Sequence, residues 1–390
     1  MTLPLDAAKL AALRAELPAT TATIYLNAGT NGPLPRRTVH AMAEWSEWEL
    51  HHGRVGPDSL ARFLEIKEQL KSAFAAFTGC QPDQIAITES TTAGVTAVLG
   101  DFRFTPDDEI VTTDGEHGGV LLPLYFVERR TGARVRLAPV GARGGDITDA
   151  IAAEVTDRTR LVVVSHVCWS TGARYDLAAL AAWCRSRDIP LLVDGAQSVG
   201  AIPVDFTALD VDYYAFSGQK WLLGPNGVGG LFVHPRRIAP RQPAAPRTLT
   251  RYDDSLIMQG TRRFEIGGKV SAAAMAGALA AVRWLLDDVG KDWMFERAGQ
   301  LARRTAERLR AIPGVEVITP PEMGTMVCFR IGDGEQQTYL ERCFASNIRV
   351  RIVPEGSAAV GPQFLRLSIG FWNSEDDLET VVDLVRRFAG

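Results

Sequence analysis

The chain lacks the features that would direct it to a membrane, a nucleic acid or an oxidising compartment. No apolar run in its 390 residues approaches the roughly 18 to 20 that a helix needs to cross a bilayer. The opening MTLPLDAAKLAALRAELPA mixes charge with apolar positions, as a short amphipathic helix does and a secretory leader does not. The net charge is −4 and no basic block occurs, which argues against nucleic acid as a partner. Five cysteines (Cys80, Cys168, Cys184, Cys328 and Cys343) form no CxxC or Cys/His pattern. They read as reduced packing thiols with no structural metal, and the His51-His52 pair lacks ligand spacing. The cytoplasm is the expected compartment. No repeat of roughly 20 to 50 residues is visible, which excludes solenoids and propellers. The glycine-rich GPNGVGGLFV at 224–233 is not GxGxxG and lacks the strand–turn–helix order, so a nicotinamide site is poorly supported.

What is present suits a large α/β domain with a smaller companion, since 46% of the residues are hydrophobic. The organising stretch is 191–220. One apolar run, 189–193, ends in Asp194, and a second, 211–216, ends in Ser217-Gly218-Gln219-Lys220. Short, largely apolar runs of this kind read as buried parallel strands, and ligands bind at the carboxyl ends of such strands. An acid and a lysine there suit pyridoxal phosphate (PLP), which needs a lysine for its Schiff base and a carboxylate beside its pyridine nitrogen. Taken singly, each reads better as a turn cap or a surface lysine; together, each at a strand end and set in Gly and Ser, they favour the cofactor.

Other strand ends carry polar groups too. The run 84–88 leads into Ser90-Thr91-Thr92-Ala93-Gly94 at a helix start, where orphan N–H groups and the helix dipole make an anion site or Ser90 makes a simple cap. The run 109–113 leads to His117, and 160–165 leads to His166-Val167-Cys168-Trp169. A further strand is expected at 134–138 and a helix at 149–154. The Gly/Asn/Pro loop within 23–35 reads as a turn or a pocket wall. Helices are expected at 36–50 and, after a loop at 51–57, on to 77. A Pro/Arg-rich crossing loop spans 240–251, a Gly-containing loop 262–268, and a long helix begins near Ser271. Beyond Trp293 the pattern becomes α+β, with helices at 295–310, 336–344 and the carboxyl terminus, and strands at 315–318, 326–331, 348–352 and 364–368. Arg351 and Arg366 fall on its strands, either as exposed charge or as forks for carboxylates.

DGAQS followed by YYAFSGQKW resembles the class V aminotransferase group of fold-type I PLP enzymes, which includes the cysteine desulfurases; the likeness runs from about Tyr25 to Phe388. The resemblance implies an α/β fold, with a mostly parallel seven-stranded sheet in a PLP-binding large domain (23–290). A small α+β carboxyl-terminal domain (291–390) and an amino-terminal arm (1–22) complete it. It implies Lys220 as the Schiff-base lysine and proton carrier, Asp194 on the pyridine nitrogen and Gln197 on the 3′-oxygen. Thr91, Thr92, the Ala93 amide and Ser217 would hold the phosphate, and His117 would stack on the ring and relay a proton. Trp169 stands where desulfurases carry asparagine, as in the cystine C–S lyase branch, and would contact the ring. Gln219 replaces the usual histidine before the lysine. Arg366 would bind the substrate's α-carboxylate and Arg351 a distal carboxylate, with Asn27 in the loop that covers the site. Gly267 and Gly268 would reach the neighbouring subunit's phosphate, which implies a homodimer with active sites at the subunit interface.

Desulfurases need a nucleophilic cysteine on the loop at 353–363, and none is there. That favours β-elimination over persulfide transfer. The expected activity is a C–S lyase acting on cystine, cysteine or a cysteine S-conjugate, giving pyruvate, ammonia and a thiol or persulfide. Transamination, epimerisation and decarboxylating oxidative deamination are the alternatives. Lys220→Ala is expected to abolish the visible absorbance of bound cofactor; an unchanged spectrum would overturn the lysine's assignment.

Overall fold

The apolar runs pair as their composition requires. The computed structural model describes residues 7–141, 146–238, 260–265, 270–332, 336–356 and 362–389. After a two-residue strand, β1 (Ile24–Tyr25), seven strands build the central sheet. They are β2 (Ile85–Thr88), β3 (Glu109–Thr113), β4 (Arg134–Ala138), β5 (Thr159–Ser165), β6 (Leu191–Asp194), β7 (Tyr213–Ser217) and β8 (Gly229–Val233). Their order is β2-β8-β7-β6-β5-β3-β4, parallel except for β8, which runs antiparallel to both its neighbours. Helices cover both faces, so Leu161, Val162, Val163 and Val164 of β5 have no exposed surface. Continuous Val/Leu runs are what a sheet buried on both faces demands. Among the described residues no helix is long and apolar enough to cross a membrane.

Two expectations change. The glycine-rich stretch at 224–233, where no strand is expected, contains the strand β8 (Gly229–Val233). A Cβ on Gly230 would lie 2.3 Å from the Phe216 ring, so the glycine admits an aromatic that a side chain would exclude. The single strand expected at 348–352 is shared between two sheets. After β9 (Val315–Val317) and β10 (Met326–Ile331), β11 (Ile348–Arg349) pairs in parallel with β1, whereas β12 (Arg351–Pro354) pairs with β13 (Gln363–Ser368). Val350, buried between the two pairings, marks the change. Pairing with β1 ties the amino-terminal segment to the second sheet, whose order is β12-β13-β10-β9. Leu26 joins Leu301, Val327, Phe329, Leu365, Leu367 and Val381 in that sheet's own core.

The carboxyl ends of β3, β5, β6 and β7 are laced together by buried polar groups. Glu116 accepts from Thr113 Oγ1 at 2.8 Å, from the Ser165 amide at 2.9 Å and from Ser165 Oγ at 2.5 Å. Elsewhere at these strand ends, Tyr214 Oη lies 2.6 Å from His166 Nδ1 and 2.5 Å from Ser198 Oγ, which donates to Gly195 O at 3.1 Å. With the serine proton so placed, the tyrosine donates to Ser198 and accepts from a protonated His166 Nδ1. Burial lowers the His166 pKa to about 3 and keeps the ring neutral. The His166 amide donates to Asp194 O at 3.1 Å, so the network also fixes the acid's backbone.

Glu116 has no exposed surface, and burial pushes its pKa up to about 7, with the charge of Asp194 adding to the rise. The folded state therefore holds this proton to higher pH than the unfolded chain does. Its contribution to stability is full below the ordinary carboxylate range and is lost as pH rises through about 7. Glu116→Gln cannot titrate, so thermal unfolding should show wild type losing ground to the variant between pH 5 and pH 8, by up to about 3 kcal/mol. Histidine titrations are common to both proteins and cancel. An equal difference at both pH values would contradict this assignment.

Candidate active site

A cavity of about 190 Å³ opens where the parallel strands end. A larger groove, about 760 Å³, lies between the helices Arg36–His52 and Pro57–Thr78, but no lysine, histidine or cysteine lines it. The chemistry converges on the smaller space, which is walled by Ser90, Thr91, Thr92, His117, Trp169, Asp194, Gln197, Ser217, Gln219 and Lys220.

Lys220 follows β7 on a turn pinned from above by the amino-terminal loop, where the Gly32 amide donates to Gln219 O at 2.8 Å. A Cβ on Gly32 would sit 2.1 Å from Lys220 O, so only glycine permits this seating. Burial lowers the Lys220 pKa to about 8; Arg366 and Arg351 push the same way, and Asp194 opposes them. Asp194 ends β6, buried, with one oxygen accepting from the Ala196 amide at 2.8 Å. Burial raises its pKa and the Lys220 charge works against that rise. Gln197 is held at both ends: Nε2 donates to Gly29 O at 2.9 Å and Oε1 accepts from Trp221 Nε1 at 2.9 Å. One amide hydrogen remains for a ligand.

The helix Thr91–Asp101 starts at the cavity with Ser90 as its cap. The Ala93 amide, expected as a phosphate donor, instead donates to Ser90 Oγ at 3.1 Å. The Thr91 amide donates to Ser217 Oγ at 3.0 Å, and the two hydroxyls lie 2.7 Å apart. Position leaves the Thr92 amide as the first-turn donor with no intrahelical acceptor. A second helix, Gly118–Thr131, begins beside it, capped by His117, whose Nδ1 accepts from the Gly119 amide at 2.9 Å. That bond puts the proton of the neutral ring on Nε2. Burial lowers the His117 pKa to about 4, helped by the charges of Lys220, Arg351 and Arg366. Trp169 meets the histidine edge to face, with centroids 4.8 Å apart. Its Nε1 is buried with no partner, as is Gln219 Oε1.

Arg366 is wholly buried on β13, directly across from Arg351 on β12. Arg366 Nη1 donates to Trp169 O at 2.9 Å, Nη2 reaches Thr30 Oγ1 at 3.4 Å, and Nε has no partner. Arg351 Nη1 donates to the same hydroxyl at 2.9 Å. Among the described residues neither guanidinium has an acidic partner. Burial brings the Arg366 pKa down to about 10, and Arg351 lowers it further. Asn27 enters this cluster only through Thr30, whose hydroxyl donates to Asn27 Oδ1 at 2.8 Å. Sequence reasoning missed Thr30, Gly29 and Trp221. Nothing in a single loop threonine announces two arginines that lie more than three hundred residues away. Gly267 and Gly268 lie outside the described residues, as do the loop at 240–251 and part of that at 353–363.

These residues fit PLP. They offer a lysine of lowered pKa, a buried carboxylate, a helix start with a spare amide, and orphaned polar atoms at Trp169 and Gln219 that call for a polar ligand. Comparison with known proteins agrees. The isopenicillin N epimerase of Streptomyces clavuligerus is 28% identical over 94% of this chain and 95% of its own length. The cysteine desulfurase of Cronobacter sakazakii is 26% identical over 92% of this chain and 91% of its own. A lysine-to-alanine variant of C-DES with glycine covalently linked to its PLP cofactor superimposes with a TM-score of 0.86 at 27% identity, covering 96% of this chain and 98% of that one. The complex of the cystine C–S lyase C-DES with its reaction product cysteine persulfide gives 0.84 at 27% identity, over 95% and 99%. The aminotransferase class-V family matches residues 24–381, so the chain belongs to that family of pyridoxal-phosphate enzymes.

Proposed function

We propose that this enzyme is a PLP-dependent C–S lyase that eliminates a sulfur leaving group from Cβ of cystine, cysteine or a cysteine S-conjugate. The carrying observation is the state of its thiols. The loop at 353–363 contains no cysteine. Burial pushes Cys184 and Cys328 up to about 12, and Cys80 and Cys343 up to about 11, and none of the five cysteines lines the cavity. A persulfide relay needs an accessible thiolate; elimination needs none. With cystine the balance is one water consumed, and pyruvate, ammonia and cysteine persulfide formed.

Bound PLP supplies the electron sink that makes the substrate's Cα–H acidic. The chain's residues supply the rest. Lys220 would take the substrate's Cα proton, and its lowered pKa suits a base near neutrality. Asp194 would keep the pyridine nitrogen protonated, and Gln197 would offer its spare amide hydrogen to the 3′-oxygen. Thr91, Thr92 and Ser217 hold the phosphate without charge, with the amide of Gln219 beside them. His117, neutral in this setting and edge to face with Trp169, would pack on the cofactor ring, with Trp169 beside it. Arg366 receives the α-carboxylate on its Nε/Nη2 edge, where Nε is unpartnered. Arg351 is placed for a second carboxylate, such as that of cystine's far half. The proposed assembly is a homodimer.

Epimerisation is the second reading, favoured by the 28% identity to isopenicillin N epimerase. Products decide. Loaded enzyme given cystine, cysteine, S-alkylcysteines and non-sulfur amino acids should release pyruvate and ammonia in equal amounts, with a thiol or persulfide, from the sulfur substrates alone. Inverted amino acid with no pyruvate would establish the second reading, and an amine-form cofactor awaiting a keto acid would establish transamination.

A further inference from the structure

Arg351 and Arg366 are directly opposed across β12 and β13, an arrangement that repulsion alone would splay. Like charges placed together, here the wholly buried Arg366 and the half-buried Arg351, are normally bridged by a carboxylate. Here the shared acceptor is a neutral hydroxyl. Thr30 Oγ1 accepts from Arg351 Nη1 at 2.9 Å and from Arg366 Nη2 at 3.4 Å, and donates to Asn27 Oδ1 at 2.8 Å. One donor and two acceptor positions are thereby all in use. The loop that carries it is fixed independently. The Thr30 and Asn31 amides donate to Asn27 O, and the Ser368 amide donates to Leu26 O at 2.8 Å, two residues beyond Arg366 on the same strand.

We propose that Thr30 is the positioning residue of the carboxylate clamp: its hydroxyl holds both guanidiniums in docking geometry without neutralising them, so that their charge is left for the substrate. This rests on the reading of Arg366 as the carboxylate dock. A carboxylate at position 30 would hold the arginines more firmly and would remove the reason for substrate to bind there. A branched apolar residue would leave the space filled and the arginines unheld. The chemistry thus requires a group that accepts hydrogen bonds and carries no charge.

The test uses the cofactor-loaded protein and glycine, an amino acid with no side chain, followed by the shift it causes in cofactor absorption. Thr30→Val should raise the dissociation constant about tenfold, the scale of a lost hydrogen bond to a charged group, while Thr30→Ser stays within about twofold of wild type. Thr30→Asp should lose glycine binding by more than roughly thirtyfold yet unfold at a higher temperature than wild type, because it supplies the missing counter-charge. Opposite signs on binding and stability are not the signature of a residue that merely packs. Combining Thr30→Val with Arg351→Met should give less than the product of the single effects, since the hydroxyl acts through the arginine. Wild-type affinity in Thr30→Val or in Thr30→Asp would overturn the proposal, as would strict additivity. Should Thr30→Val fail to retain cofactor, Thr30→Asp and Thr30→Ser decide it. Arg366→Ala separates the two levels. If it leaves glycine affinity unchanged, the dock itself is wrong; if it weakens binding and the Thr30 variants do not, only the role of Thr30 falls.

Discussion

A wholly buried guanidinium, Arg366, faces the half-buried Arg351 with no carboxylate between them among the described residues, and this pair helps to shape the electrostatics of the site. Burying a charge is costly unless it is paired, and leaving two cations side by side adds repulsion. Both effects appear in the lowered pKa of Arg366. The same positive field reaches the other titrating groups. After burial itself, it helps to bring Lys220 down to about 8 and His117 down to about 4. A lysine that loses its proton near neutrality, beside a histidine that stays neutral, is the state a transferable amine requires. The arginine pair therefore also conditions the lysine and the histidine of the cavity.

Such an arrangement persists only because the surrounding fold over-determines it. The strand ends that carry Ser165, Asp194 and Ser217 are cross-linked by Glu116 on one network and by His166, Tyr214 and Ser198 on another. The small sheet that carries the arginines is coupled to the amino-terminal segment by the pairing of β1 with β11. From there the loop at 27–32 touches Arg351 and Arg366 through Thr30, Gln197 through Gly29 O, and the Lys220 turn through Gly32. One short segment thus connects the arginine pair, the Gln197 amide and the Lys220 turn, groups that come from different elements.

Much of this was legible in the sequence. Buried strands declare themselves by continuous apolar runs, and polar residues at their carboxyl ends pointed to Lys220, Asp194, Ser217 and His117 before any coordinates. The cavity brings those four together with Thr91, Thr92, Trp169 and Gln197. What was not legible depended on tertiary context. The strand β8 was hidden by its glycines, whose use is to admit the Phe216 ring. The division of 348–352 between two sheets follows from competition between β1 and β13 for the same stretch, and no local signal encodes it. Ala93 reads as a phosphate donor from its place at a helix start, but its amide is consumed by the Ser90 cap. Thr30 offered no signal, because its importance arises from residues far along the chain.

The central claim is that the uncompensated arginine pair exists to receive a carboxylate. The most direct measurement compares glycine with glycinamide as ligands of the cofactor-loaded protein, read by the change in cofactor absorption at matched concentrations of free amine. The two share the reacting amine and differ only in the charge offered to Arg366. The account predicts that glycine binds at least about tenfold more tightly, as a charge-assisted pair in a buried site should provide, and that Arg366→Ala abolishes the preference. Equal affinity for the two ligands in the wild-type protein would contradict it.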